Sequence, residues 1–188
     1  MALDLKNKVA FITGGASGLG LSMARAFGKE GMKVMLADID EKTLASAKAD
    51  LEARQVVVST VVCDVTDRAS VKSGALQTIA DFGKVHVVCN NAGVAVGGPI
   101  GQVRERDWDW IIDVNLKGVV YGTETFVPLI RSHGEGGHFV NTASMAGMIS
   151  PPHMEPYCGT KFAVVAMSEG WAGQRAPPGP GNTLGQQP

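Results

Sequence analysis

A glycine-rich turn, Thr13-Gly14-Gly15-Ala16-Ser17-Gly18-Leu19-Gly20, joins two kinds of sequence. Before it stands the apolar run Lys8-Val9-Ala10-Phe11-Ile12. After it, Leu21 to Glu30 carries Met23, Ala24 and Phe27 at helical spacing. An apolar run without polar alternation suits a strand buried on both faces, as in parallel sheets. A parallel neighbour requires a crossover, and a helix is the usual one. The same alternation continues along the chain. Gly31 stands where a helix-ending glycine belongs, and Lys33–Ala37 reads as a second strand ending at Asp38. Glu41–Ala53 reads as a helix, Val56–Cys63 as a strand closed by Asp64, and Asp67–Phe82 as a helix. Val85–Cys89 is a fourth strand, followed by Asn90-Asn91-Ala92-Gly93. A long helix is expected from about Glu105 to Arg131, with Gly118, Gly122 and Pro128 as candidate bends. Gly137–Asn141 reads as a fifth strand, and a last helix should start near Tyr157 and run through Ser168.

This pattern predicts an α/β chain of the Rossmann type, a doubly wound parallel sheet with helices on both faces. The 188 residues suit one domain. It is expected to occupy 1–170. Residues 171–188 turn rich in Gly, Pro and Gln and read as a disordered or aberrant tail. A net charge of −1 gives no reason to expect nucleic acid or an anionic membrane as partner. No apolar run is long enough for a bilayer, and Met1 to Lys6 lack the layout of a signal peptide. A cytoplasmic location is the resulting expectation. The three cysteines, Cys63, Cys89 and Cys158, have no metal-ligand spacing and read as small buried hydrophobes. His86 reads as a core residue within an apolar strand. His133, His138 and His153 share no spacing, so no metal site is expected. Trp108 and Trp110 are assigned to packing along the long helix.

The glycine turn sits where a backbone must approach a ligand closely. The helix start after it offers free N–H groups to a pyrophosphate. Asp38, about twenty residues on at a strand end, is placed to accept both ribose hydroxyls of an adenosine and to repel a 2′-phosphate. Asp64 holds the equivalent place after the third strand. NAD is therefore expected over NADP. Tyr157 and Lys161 lie four apart at a helix start and share a face. An ammonium there favours the phenolate, so the pair can exchange a proton with an alcohol or carbonyl. Ser144, after the fifth strand, can bind the same substrate oxygen. Met145, Met148 and Met154 flank this region as either pocket lining or ordinary packing.

Taken together, Thr13 to Gly20, Asp38, Asp64-Val65, Asn90 to Gly93, Asp113-Val114-Asn115, Ser144 and Tyr157 with Lys161 occur in the order of one family. The chain resembles the short-chain dehydrogenases/reductases over about Lys6 to Glu169. The resemblance implies a tetrad of Asn115, Ser144, Tyr157 and Lys161. Tyr157 is the implied acid/base, Ser144 polarises the substrate oxygen, Lys161 binds the nicotinamide ribose, and Asn115 supports a water relay to Lys161. The implied cofactor set is Gly14, Ser17, Gly18, Leu19, Gly20, Asp38, Asp64, Val65, Asn91, Ala92 and Gly93, with Tyr157 and Lys161. The implied reaction is NAD-dependent interconversion of a secondary alcohol and a ketone. A homodimer or tetramer is implied as well. Relatives continue beyond the Tyr-Lys helix, whereas Gly170 to Gly181 admits no buried strand. The expectation for this chain is a shortened or frameshifted member with weaker association, an unpaired fifth strand prone to aggregation, and poor hydride transfer. Two other readings remain open, a catalytically impaired nucleotide-binding chain and an inactive fragment.

Overall fold

The protein is represented by a computed structural model that describes residues 4–174. Most of the expected tail, residues 175–188, lies outside the described residues. The elements are β1 (Val9–Thr13), α1 (Gly18–Lys29), β2 (Lys33–Asp38), α2 (Glu41–Ala53), β3 (Val58–Val62) and α3 (Arg68–Phe82). They continue as β4 (Val87–Asn90), α4 (Glu105–Ile112), α5 (Gly118–His133), β5 (His138–Asn141) and α6 (Glu155–Ala172). The five strands form one sheet in the order β3-β2-β1-β4-β5, and every pairing is parallel. From β1 the chain steps outward to β3, then crosses to the other flank of β1 for β4 and β5. That reversal opens a crevice beyond the carboxyl ends of β1 and β4, where open α/β sheets bind ligands.

β1 is buried along its whole length, which is why its sequence shows no alternation. Its side chains still point to opposite faces in turn. Ala10 and Ile12 join Val34, Leu36 and Cys89 against Ala24 of α1 and Leu44 and Leu51 of α2. Phe11 faces the other way, with Met35, Val88, Val71 of α3 and Phe126 of α5. The Phe11 and Phe126 rings lie 4.5 Å apart between centroids. Truncating either ring to alanine should cost about 3–5 kcal/mol. Capping fixes the helix starts on the other side of the strands. Asp40 accepts from Thr43 N at 2.9 Å and Asp67 from Ala69 N at 2.9 Å, each satisfying an N–H that the first helical turn leaves without a partner. Gly31 follows α1 with φ +78°, the left-handed value that a helix-ending glycine supplies.

Apart from shifts of one or two residues at element ends, as at β3 and β4, the structure departs from the sequence reading in four places. α1 starts at Gly18, not Leu21, because the glycine turn itself winds into the first helical turn. The long helix is continuous through Gly118, Gly122 and Pro128 in α5; its irregularity is instead a wide π turn at Asp113–Lys117. α6 starts at Glu155, helped by Pro156, whose missing N–H is not needed in a first turn. It also runs through Gly170 to Ala172, past the expected domain limit. Trp108 and Trp110 are not packed away but stand partly exposed on α4. Among the described residues β5 pairs only with β4. A cleft of about 960 Å³ runs along that open side, lined by Val127, Pro128, Phe139 and Trp171 among others. No helix among the described residues is long and apolar enough to cross a membrane.

Candidate active site

The crevice is organised by the side chain of Thr13, the last residue of β1. Its hydroxyl donates to Cys89 O and accepts from Asn91 N at 2.9 Å and Ala92 N at 3.0 Å. Asn91 reaches back, donating through Nδ2 to Thr13 O and Gly14 O, and accepts from Thr142 Oγ1 at 3.1 Å. The segment after β4 is thereby tied to the glycine turn and to the segment after β5. The turn is folded tightly on itself. A Cβ on Gly20 would lie 2.1 Å from Gly14 O, and one on Gly14, at φ +60°, would lie 3.0 Å from Ala92 Cα. Ser17, Gly18 and Leu19 remain exposed along the rim while Gly20 is buried. The first turn of α1 holds no acidic residue, and Ser17 makes no capping bond. The N–H groups there are open to an anion.

Asp38 stands at the carboxyl end of β2, beside the glycine turn. Its Oδ2 accepts from Ala16 N at 3.1 Å and its Oδ1 from Asp40 N at 3.3 Å. A carboxylate has about four acceptor positions, so capacity is left for two hydroxyls. Asp64 accepts from Thr66 N and Thr66 Oγ1, both through Oδ1. The Val65 side chain is buried against Gly118 of α5, so any ligand contact there falls to its backbone.

Across the crevice, Lys161 is buried to 4% exposure and donates to Thr142 O at 2.7 Å. Burial pushes its pKa below the ordinary lysine value of 10.5. Its Nζ stands 5.7 Å from the Tyr157 ring centroid. Asn115, 1% exposed, sits in the π turn and points inward. It accepts from Val94 N at 2.8 Å and donates to Val94 O at 2.9 Å and Thr160 Oγ1 at 3.2 Å. Thr160 Oγ1 in turn donates to Tyr157 O at 2.8 Å. A Cβ on Gly93 would meet Asn115 Oδ1 at 3.3 Å and Lys161 Nζ at 3.6 Å, so Gly93, Asn115 and Lys161 converge. Ser144 starts a short 3₁₀ turn, Met145–Gly147, and accepts from Ala146 N at 3.2 Å. Its hydroxyl proton is left to donate. That turn rests on α6, where a Cβ on Gly147 would be 2.8 Å from Lys161 O.

Thr13, Thr142 and Thr160 hold the site together, yet the sequence reading gives none of them a role. Two of them had a visible signal, since Thr13 ends β1 and Thr142 follows β5 at the ligand-binding edge. Thr160, inside the Tyr-Lys interval, had none.

A second polar cluster lies at the opposite edge of the sheet. His86, buried just before β4, accepts Val9 N–H on Nδ1 at 3.1 Å, leaving Nε2–H to donate to Glu135 at 3.0 Å. His133 Nδ1 accepts from Glu135 N, and its Nε2 lies 2.8 Å from Val85 O. Glu135 also pairs with Lys8 and Lys84. The ligand atoms of His86, His133 and Glu135 all lie within 4.8 Å of one another. A metal would nevertheless have to displace a backbone bond on His133 and compete with Lys8 and Lys84 for Glu135, so the cluster is better suited to holding β1, β4 and α5 in place. Burial pushes the Cys63 thiol to about 11 and the Cys89 thiol to about 12, and Cys158 is buried too.

The comparisons with known proteins agree with this layout. The family model for short chain dehydrogenase matches residues 8–179. A C alpha-dehydrogenase of Sphingobium sp. is 38% identical over 169 residues, covering 89% of this chain and 55% of its own length. A 3-oxoacyl-[acyl-carrier-protein] reductase of Thermotoga maritima is 34% identical, over 93% of this chain and 70% of its own. A short chain dehydrogenase/reductase from Burkholderia phymatum, solved in complex with NAD, superposes with a TM-score of 0.89 at 41% identity. It covers 91% of this chain and 61% of that one. This chain thus spans little more than half the length of the first of these relatives. With the fold, the glycine turn and the sequence match in agreement, the chain belongs to the short-chain dehydrogenase family.

Proposed function

We propose that this chain forms the nucleotide-binding and proton-transfer part of an NAD-dependent oxidoreductase that interconverts a secondary alcohol and a ketone. The observation that carries the reading is the convergence of Lys161, Tyr157 and Asn115 on the crevice that also holds Asp38 and the glycine turn. The residues present fit the cofactor. Gly14 and Gly20 leave a cradle that a Cβ would fill, and the first turn of α1 offers N–H groups to its pyrophosphate. Asp38 would hold the adenosine ribose, with Asp64 and Val65 nearer the adenine, and Asn91, Ala92, Gly93, Tyr157 and Lys161 would meet the nicotinamide side. NAD, when bound, supplies the acceptor for the hydride leaving the carbinol carbon.

In alcohol oxidation Ser144 donates its free hydroxyl proton in a hydrogen bond to the substrate oxygen, and the Tyr157 phenolate removes that oxygen's proton. The C–O single bond becomes the carbonyl as the O–H bond breaks. The Lys161 ammonium stabilises the phenolate electrostatically, while Thr142 O holds the ammonium in place. Asn115 has both ends of its amide engaged with Val94 and Thr160. Its part is to shape the π turn and hold Gly93 against Lys161, and through that geometry to support a water relay. Domain limits near 1–170 and association into a dimer or tetramer belong to the same reading.

The test is an assay of the purified chain with NAD and a panel of secondary alcohols, run beside a nucleotide-binding titration. Reduced nicotinamide should form, with NAD favoured over NADP. Nucleotide binding without any turnover would overturn the catalytic part and leave an impaired binding chain. Absence of both would overturn the whole reading.

A further inference from the structure

Two segments frame the reacting end of the crevice, 90–103 after β4 and 141–154 after β5. Neither contains a single Asp, Glu, Lys or Arg, in a chain where such residues make up 19%. The segments are joined to each other. Gly98 N donates to His153 O at 2.8 Å, and a Cβ on Gly97 would lie 2.5 Å from that oxygen and 3.3 Å from the Met154 sulfur. Large apolar side chains nonetheless stand out from both. Met145 is 76% exposed and Met148 74%, with Ile149 and Ile100 also open. Met145 directly follows Ser144, and its carbonyl accepts from Met148 N and Ile149 N. The tight turn therefore keeps these side chains close to the hydroxyl that meets the substrate. Among the described residues these side chains are therefore not packed into the core. Two of the buried polar side chains nearby are already engaged: Asn115 with Val94 and Thr160, Thr142 with Asn91.

Resting on the proposed oxidoreductase reading, we infer that this mouth selects an uncharged substrate whose carbinol or carbonyl carbon bears an aryl or alicyclic body. A carboxylate or phosphate on the substrate would meet no Lys or Arg side chain of either segment, and a charge without a partner gains nothing to offset the hydration it loses on binding. A polyol would lose hydration at each hydroxyl while Met145, Met148 and Ile149 returned no hydrogen bond. An apolar ring suits soft, unbranched thioethers, which adapt to irregular shapes and contact aromatic faces favourably.

The experiment uses the whole chain, with and without NADH. Binding of acetophenone, 4-acetylbenzoate and a pentitol is followed by saturation-transfer NMR, and turnover of the matching alcohols by absorbance. Acetophenone should bind at least about tenfold more tightly than either of the others, as an unpaired buried charge or hydroxyl demands. The exposed positions allow Met145→Lys and Met148→Lys without disturbing the core. Each should narrow or reverse the gap against the carboxylate, while NADH affinity stays unchanged. Selective acetophenone binding without turnover would defeat the catalytic reading and leave this inference standing. Turnover that favours the carboxylate or the pentitol would do the reverse. Binding of none of the three, or a gap unmoved by both lysine variants, would overturn the inference.

Discussion

The two edges of the sheet carry polar clusters of similar size and opposite character. At the amino-terminal edge, His86, His133, Glu135, Lys8 and Lys84 form the richer collection of titratable groups. Both imidazoles engage backbone groups there, and Glu135 engages three side chains. At the carboxyl edge the bonded residues are plainer: Thr13, Asn91, Thr142, Asn115 and Thr160. Beside them stand groups with capacity to spare, namely Asp38, Ser144, Tyr157 and the N–H groups of the glycine turn. On the proposed reading, unspent hydrogen-bonding capacity beside a topological switch point, and not the larger set of titratable groups, marks the functional edge.

The strongest way to break this comparison is to remove the proton-transfer oxygen. Tyr157→Phe should lower kcat by about 10³-fold, in the usual range for loss of a general acid/base. NAD affinity should stay near that of the parent, since Asp38 and the glycine turn are untouched. Unchanged turnover in a steady-state assay would remove the carboxyl edge from the chemistry. Lys161 adds a pH signature. On the proposed reading its ammonium form supports the Tyr157 phenolate, and burial holds its pKa below 10.5. Turnover should therefore begin to fall on the alkaline side before an ordinary lysine would titrate.

Asn115→Leu should come next. It leaves Val94 N and Val94 O without their partner, at about 1–3 kcal/mol for each buried group left unpaired. Misplacement of Gly93 and Lys161 should lower kcat about 100-fold, with a smaller rise in the KM for NAD, because those two meet the nicotinamide side while Asp38 and the glycine turn are untouched. Equal loss in both parameters would mark a collapsed fold instead of a positioning defect. Asp38→Ser is milder. Removing a charged acceptor of ribose hydroxyls should cut the NAD-over-NADP preference about 10- to 100-fold. Equal affinity of the parent chain for both cofactors would refute the role given to Asp38.

The sequence carried the alternation, the switch point and the residues with spare capacity, because each leaves a local mark. β1 is apolar without period since both its faces are covered, and Asp38 is marked by its place at a strand end. Other features leave none. The π turn around Asn115 depends on that side chain finding both polar atoms of Val94, a contact between residues far apart in sequence. The glycines of α5 suggested bends, yet Gly122 serves close approach to Asn90, whose Oδ1 would be 2.0 Å from a Cβ there. The exposure of Met145 and Met148 depends on how the 3₁₀ turn rests on α6, so the sequence left pocket lining and packing open. The closed cluster of His86, His133 and Glu135 is likewise invisible until β4 and the end of α5 are brought together.

The smallest effect sharpens the comparison from the other edge. Burial lowers the pKa of His86 below 6.5, with Lys8 and His133 acting in the same direction and the bond to Glu135 opposing. The neutral ring is thus the form the fold prefers. As pH falls below about 6.5 the unfolded chain takes up this proton first, so stability should decline until the folded pKa is passed. Glu135 acts later. Lys8, Lys84 and His86 hold its pKa well below 4.5, so its contribution is present above that value and lost as pH drops through the folded pKa. Melting curves carried from about pH 8 down to about pH 2 should show both stages, the first below about 6.5 and the second below about 4.5. His86→Asn keeps an acceptor for Val9 N–H but cannot titrate, so it should flatten the first stage and spare the second. Turnover at neutral pH should not change, because the ring lies at the edge of the sheet away from Tyr157. An unaltered slope between pH 6.5 and 4.5 in the variant, or a large loss of turnover, would show that the two edges are not separate in the way their hydrogen bonds indicate.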